Sequence, residues 1–331
     1  MFHVERAHTR AAMAVVAVAT CAATSVAAPP SASAASSIRI AGADRIATSL
    51  AIYEQNPDVF GSETVLLSRA DQFPDALAAA PLAAAMKAPV LLTSPRGLDV
   101  RVLESITRHQ VQRVVLVGGK TAIGPAVEAA LTAARVQVTR IEGRDRFATA
   151  EAAAARTSQV LGGRPVAAFV ADGLTPQDAL VAGAIAGRDG GVVLLSAGPR
   201  LTAGTKAYLQ SQAVGTRVGI GEKGARAANS IGLAQSVYGA TPESTSIEVA
   251  KFWHKGPVNA VVTGASGWAD GLAGAPLAAL RRAPLILVGG RHPTARTLAY
   301  MRTAHPRTFT VLGGERALPA SVDRDLTRAA G

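Results

Sequence analysis

Two Asp-Arg steps stand in matching surroundings: Arg39-Ile-Ala-Gly42-Ala-Asp44-Arg45-Ile-Ala-Thr48 and Arg140-Ile-Glu-Gly143-Arg-Asp145-Arg146-Phe-Ala-Thr149. A carboxylate at the turn into a helix can accept the unpaired backbone N–H groups of the first turn. The arginine that follows then projects at a helix N-terminus, where its planar fork suits a phosphate or carboxylate. The alternative is a structural ion pair of Asp44 with Arg45 or a neighbour. Three further aspartates, Asp75, Asp178 and Asp270, each follow a turn and open a helical stretch. N-capping accounts for them, and orienting a ligand or an arginine of a neighbouring copy is their other possible role. Trp253, His254 and Trp268 fall late in the chain, where an aromatic beside a strand end could stack on a sugar or simply pack.

Catalytic patterns are missing from the same sequence. There is no G-x-S-x-G or S-x-x-K for a nucleophilic serine. His109, His254, His292 and His305 show no H-E-x-x-H or other metal spacing. Gly219-Ile-Gly221-Glu-Lys-Gly224 is formally a G-x-G-x-x-G, but the other copies lack it at the aligned positions. Asp323-Arg324-Asp325 reads as solvated surface on a charged terminal helix. No metal and no cofactor is expected.

The elements that must position these residues recur three times. The aspartates sit in Pro74-Asp75-Ala76-Leu77-Ala78, Gln177-Asp178-Ala179-Leu180-Val181 and Ala269-Asp270-Gly271-Leu272-Ala273, and each is followed, 43 residues later, by Gly118, Gly221 or Gly313. A constant spacing in three copies marks a repeat protein. The copies are assigned to residues 35–136, 137–233 and 234–331, the third being degenerate because Thr241-Pro242 replaces its Asp-Arg step. Within each copy, apolar runs such as Val114–Val117 alternate with helical stretches, which predicts parallel strands buried on both faces of a doubly wound sheet. The Ala/Gly-rich helices after Asp75, Asp178 and Asp270 have small faces that predict a meeting of the three around a pseudo-threefold axis.

Residues 1–34 read as an export signal: Arg6 and Arg10, a small apolar stretch to Ala28, and Ala32-Ser33-Ala34 as the cleavage site. Lipidation at Cys21, the only cysteine, is the alternative; cleavage after Ala34 leaves a chain without thiols. The stretch is barely long enough for a bilayer, so no integral span is expected in the mature chain. The chain has 331 residues, a mean hydropathy of +0.24 and a net charge of +11, so it can build several cores and implies an anionic partner. Export excludes nucleic acid as that partner. The excess of arginine over lysine and the alanine content suggest a GC-rich, actinobacterial genome.

The segments R-x-x-G-x-D-R-x-x-T, F-P-D-A-L-A-A-A-P-L-A, A-P-V-L-L-T and V-V-L-V-G-G together resemble the cell wall binding type 2 repeat, across essentially the whole mature chain. The resemblance implies three Toprim/Rossmann-like α/β units forming a pseudo-trimer. It implies a secreted, wall-associated protein of a Gram-positive bacterium that binds an anionic wall glycopolymer, teichoic acid-like or an acidic polysaccharide. It would place polymer contacts near the Leu-Leu segments, Leu91, Leu92, Leu194 and Leu195, and nearby charged residues. Arg39, Arg45, Arg140, Arg146, Asp75, Asp178 and Asp270 complete the expected site. Some proteins with these repeats are labelled N-acetylmuramoyl-L-alanine amidase. A wall hydrolase and an exported small-ligand binder are therefore the rival functions.

Overall fold

The computed structural model describes residues 35–61, 63–211 and 214–331, so the expected export signal and Cys21 lie outside the described residues. In chain order the first copy runs β1 (Ser36–Ile40), α1 (Arg45–Glu54), β2 (Thr64–Arg69), α2 (Ala79–Ala85), β3 (Val90–Thr93), α3 (Val100–Arg108), β4 (Arg113–Val117) and α4 (Pro125–Ala133). The second runs β5 (Gln137–Ile141), α5 (Arg146–Val160), β6 (Ala167–Asp172), α6 (Gln177–Asp189), β7 (Val192–Ser196), α7 (Ala203–Gln210), β8 (Thr216–Ile220) and α8 (Gly221–Asn229). The third runs β9 (Gln235–Val237), α9 (Pro242–Trp253), β10 (Asn259–Gly264), α10 (Trp268–Leu280), β11 (Leu285–Val288), α11 (Ala295–Ala304), β12 (Thr308–Leu312) and α12 (Ala320–Ala330). No described helix is long and apolar enough to cross a membrane.

All strand pairs within the three four-stranded sheets are parallel, in the orders β3-β2-β4-β5, β7-β6-β8-β9 and β1-β12-β10-β11. β3, β6 and β7 are buried along their whole length, as expected of strands covered by helices on both faces. The sheet and the sequence repeat are offset by one strand. β5 opens the second copy yet pairs with β4, from Arg113↔Gln137 to Val117↔Ile141. β1, at the start of the first copy, completes the third sheet by pairing with β12 from Ser36↔Thr308 to Ile40↔Leu312. The opening motif of each copy therefore leaves a sheet made mostly by another copy.

The three small-faced helices α2, α6 and α10 pack against one another, as their composition predicts. Gly187 shows why small residues are needed: a Cβ there would lie 2.9 Å from Ala84 Cβ and 3.0 Å from Ala279 Cβ, one on each neighbouring helix. Close backbone approach buries apolar surface that larger side chains would hold apart.

Candidate functional site

The opening motif is a tied-back turn. Asp44 accepts Ala47 N–H at 2.8 Å, and Asp145 accepts Ala148 N–H at 2.8 Å, so both cap their helices as expected. Six residues after each glycine, a threonine hydroxyl accepts its N–H: Gly42 to Thr48 at 3.0 Å, Gly143 to Thr149 at 3.1 Å and Gly239 to Thr245 at 3.0 Å. The second oxygen of Asp44 pairs with Arg101 at 3.0 Å. The Ala47 N–H, with help from Arg101, holds the Asp44 carboxyl below its ordinary range.

Of the two expectations for the Asp-Arg step, Asp44 forms its ion pair with a neighbour, Arg101, and neither Arg45 nor Arg146 projects free at its helix end. Arg45 Nη1 donates to Ala70 O at 2.7 Å, and Arg146 Nη1 donates to Gly173 O at 2.7 Å. Each is clipped to the carbonyl edge just past the second strand of its own copy. The Arg45 guanidinium also lies 5.2 Å from the ring centroid of Trp268, a residue of copy three. Arg39 donates to Gly313 O at 2.7 Å and pairs with Asp323; Arg140 donates to Gly118 O at 2.7 Å and pairs with Glu128 at 2.9 Å. Both tether the closing glycine of one copy to the first strand of the next. Asp323 is thus an internal partner, and Asp325 meets His292 at 2.7 Å, so this D-x-D is not merely solvated surface.

Asp75, Asp178 and Asp270 do not cap helices. The positions before the turn at Pro74–Ala76 and before α6 and α10 are Phe73, Pro176 and Gly267, none with a side-chain capping bond. The aspartates sit inside the first turn with their carboxylates against the closing glycines. Gly118, Gly221 and Gly313 have φ of +120°, +74° and +100°; a Cβ on Gly221 or Gly313 would collide with the facing aspartate, and one on Gly118 would strike Ala122 Cβ and crowd Asp75. This packing is the physical origin of the constant 43-residue spacing.

Asp75 and Asp270 also face the opening motif of the following copy. Thr149 Oγ1 donates to Asp75 at 3.3 Å, and the charges of Arg146 and Arg45 act on Asp75 and Asp270 respectively. The candidate site is therefore a junction between copies. Burial pushes all three carboxyls up. For Asp75 it is opposed by the Thr149 hydroxyl and by Arg69 and Arg146, and for Asp270 by Arg45. Asp178 rises to about 6, through burial and then the charge of Asp172, against the pull of Lys223. The Gly219-x-Gly221-x-x-Gly224 pattern lies here, but the Asp178 carboxylate faces Gly221 and a Cβ at Gly224 would strike Val170 O. Its glycines serve close packing.

Leu91, Leu92, Leu194 and Leu195 are fully buried in β3 and β7. Continuous apolar strands between two helical layers are core, so these side chains have no surface to offer a polymer. What reaches the surface is the carbonyl edge beyond them. There, sequence reasoning passed over Arg69, Arg96 and Lys120, which follow or end three successive strands of copy one and line a 440 Å³ groove with Asp71. The available signal was their place, since ligands of open α/β sheets gather at strand carboxyl ends. Arg69 is bound by both oxygens of Asp71 at 2.6 Å. Arg96 and Lys120 are exposed and form no ion pair among the described residues.

Copy three differs at its opening. Thr241 caps α9 in a capping box with Ser244. Glu243 is buried and accepts Gly289 N–H at 2.9 Å, Thr294 N–H at 2.9 Å and the Thr297 hydroxyl at 2.7 Å. An internal carboxylate thus fills the donor-rich start of α11. Trp253 packs on Phe169 and Phe252. His254, also buried, donates from Nδ1 to Arg282 O across 3.1 Å, and burial together with Arg188 lowers its pKa to about 4. Among the described residues no cluster of three or more His, Cys, Asp or Glu could hold a metal ion.

Residues 39–128, 140–229 and 237–323 match the family model described as cell wall binding domain 2 (CWB2). Among curated proteins, the N-acetylmuramoyl-L-alanine amidase LytC of Bacillus subtilis (strain 168) is 22% identical over 298 residues, covering 87% of this chain and 57% of the relative. The amidase enhancer of the same organism is 26% identical over 288 residues, covering 87% of this chain and 40% of the relative. The chain therefore spans only about half the length of these relatives. Among solved structures, Cwp6 from Clostridium difficile superposes with TM-score 0.81 at 22% identity, covering 90% of this chain and 48% of that one. Cwp8 from Clostridium difficile gives TM-score 0.75 at 20% identity, covering 89% and 51%. These structures share the fold.

Proposed function

The chain belongs to the cell wall binding domain 2 family, and from that premise we propose that it is an exported, wall-associated protein whose three-copy body binds an anionic glycopolymer of the cell wall. Binding to the wall is the property for which the family is described. The basic groove of copy one carries the finer reading. Arg96 and Lys120 stand at the carbonyl edge without a carboxylate partner among the described residues, beside the half-neutralised Arg69. Cations placed so can make charge-assisted contacts to phosphate or carboxylate groups. A repeating polymer multiplies weak contacts by raising the local concentration of the next group. Arg45 and Arg146, with Asp75, Asp178 and Asp270, shape the junctions beside which the polymer lies. Arg39 and Arg140 position the closing glycines.

The test is co-sedimentation of the protein with cell walls across a salt series, before and after chemical removal of the anionic polymers. Loss of sedimentation with the polymers, and weakening as salt screens the charges, is the expected result. Sedimentation that survives removal at every salt concentration points instead to peptidoglycan and overturns the anionic-polymer reading.

A further inference from the structure

A groove of about 630 Å³ lies where copy three meets copy one. Its charged and aromatic lining is Asp44, Arg45, Trp268, Asp270, Glu315 and Arg316. Asp44 is already paired with Arg101, so two carboxylates face two guanidinium groups, in a chain whose net charge is +11. That balance is wrong for an anion. It suits a neutral ring with hydroxyl donors: the half-buried indole lines the groove beside the Arg45 guanidinium that lies over its ring, and carboxylates accept hydroxyl protons. Asp270 makes no hydrogen bond among the described residues, so its carboxylate oxygens have unmet acceptor capacity.

The basic groove of Arg69, Arg96 and Lys120 has the opposite character. A third groove of about 360 Å³ joins the two. It shares Asp44 and Arg45 with the junction groove and Asp71 and Pro95 with the basic one, and Ile46 and Ala70 add apolar wall between them.

We propose that the three grooves form one continuous track across copy one. It takes a single glycan strand with a neutral pyranose against Trp268 and Asp270 and a phosphate or carboxylate substituent at Arg96 and Lys120. This rests on the wall-polymer reading and sharpens it. The other copies break the track. Two residues before each helix aspartate, Pro176 stands where copy three has Trp268, and Phe73 is turned edge-on to Trp268 at 6.0 Å. Two residues after each closing glycine, Lys223 is paired with Asp172 at 3.0 Å, and Glu315 reverses the charge. Six residues before each aspartate, Asp172 and Gly264 stand where copy one has Arg69. Pseudo-threefold symmetry would suggest three strands per chain; the side chains allow one.

The decisive experiment is a calorimetric and fluorescence titration of the protein with anionic polymer fragments extracted from the walls of the producing organism. Trp253 and Trp268 are the only tryptophans, so a ligand on the track perturbs an emission to which Trp268 is one of two contributors. One strand per chain and a changed emission are expected. Trp268→Ala should lose roughly tenfold in affinity with its salt dependence intact, and Trp268→Phe should retain most of the affinity. The exposed pair Arg96→Glu with Lys120→Glu should lose affinity and most of the salt dependence. Lys223→Glu, on copy two, should bind as the parent does. Three strands per chain, or polymer bound equally by the parent, Trp268→Ala and the Arg96/Lys120 variant, would overturn the track and leave the wall-polymer reading standing. No polymer binding by the parent at any salt would overturn both.

Discussion

Copies one and three begin with the same backbone and end with different chemistry. In copy one the turn is capped by Asp44 and tied back by Thr48; in copy three Thr241 and Thr245 do the same work. Past the cap they diverge. Copy one continues with Arg45 and Ile46, where the arginine reaches Ala70 O and covers Trp268. Copy three continues with Pro242 and Glu243, whose carboxylate satisfies donors inside its own copy. The cap and the threonine are therefore architecture, and the two positions after the cap decide whether the carbonyl edge faces outward with charge or is closed from within.

The largest test of this contrast is Glu243→Ala. It would leave the buried Thr297 hydroxyl without its carboxylate and free two part-buried backbone N–H groups, at a cost on the order of 3 kcal/mol. Ile46→Ala, at the matching place in copy one, removes only a half-buried side chain and should cost about 1 kcal/mol. Urea unfolding of both variants measures the difference; equal losses would dissolve the distinction.

Next in size is Asp178→Asn. A carboxyl whose folded pKa lies near 6 rather than 3.8 binds its proton more tightly in the folded chain. Its stabilising contribution is complete below the unfolded value and is lost as pH rises through about 6. The asparagine variant should gain on the order of 2 kcal/mol at pH of about 8 and little at pH of about 3.5, read from urea midpoints. Asp270→Asn should gain less at the higher pH, because Arg45 already favours the charged carboxylate there.

The smallest expected effects belong to the caps. Asp44→Ala and Thr241→Ala should each cost about 1 kcal/mol in thermal or urea unfolding. A clearly larger loss for Asp44→Ala would show that its contact with Arg101 adds to the cap.

Local physics was open to reading from the chain: the three copies, the buried parallel strands, the caps at Asp44 and Asp145, and the small-faced helices that meet at Gly187. Each depends on neighbours a few residues away or on a periodicity. What escaped depends on partners far along the chain. Arg45 lies over Trp268, and Asp75 lies against Gly118 and under Thr149, so single-copy reasoning left Asp75 open between a cap and a contact with a neighbouring copy, and Arg45 open between a free cation and an ion pair. The Leu-Leu segments were read through a family resemblance as contact points, although their unbroken apolarity already marked them as core. Arg69 and Lys120 carry no repeat signature, because copies two and three replace or neutralise them; Arg96 recurs only as Arg291 of copy three, with Pro199 at the place in copy two.

The pairing of β1 with β12 has a further consequence, for the order of assembly. Arg39 and Gly313 are bonded across 274 residues of chain. As the chain is made, copies one and two can build their sheets from sequence already in hand, each waiting only for the first strand of the next copy. The third sheet must instead recruit a strand made before everything else, so its ladder is the most non-local contact of the fold and the natural last step of folding. Until then two edges stay unpaired, and an open edge can recruit the same strand from a neighbouring molecule.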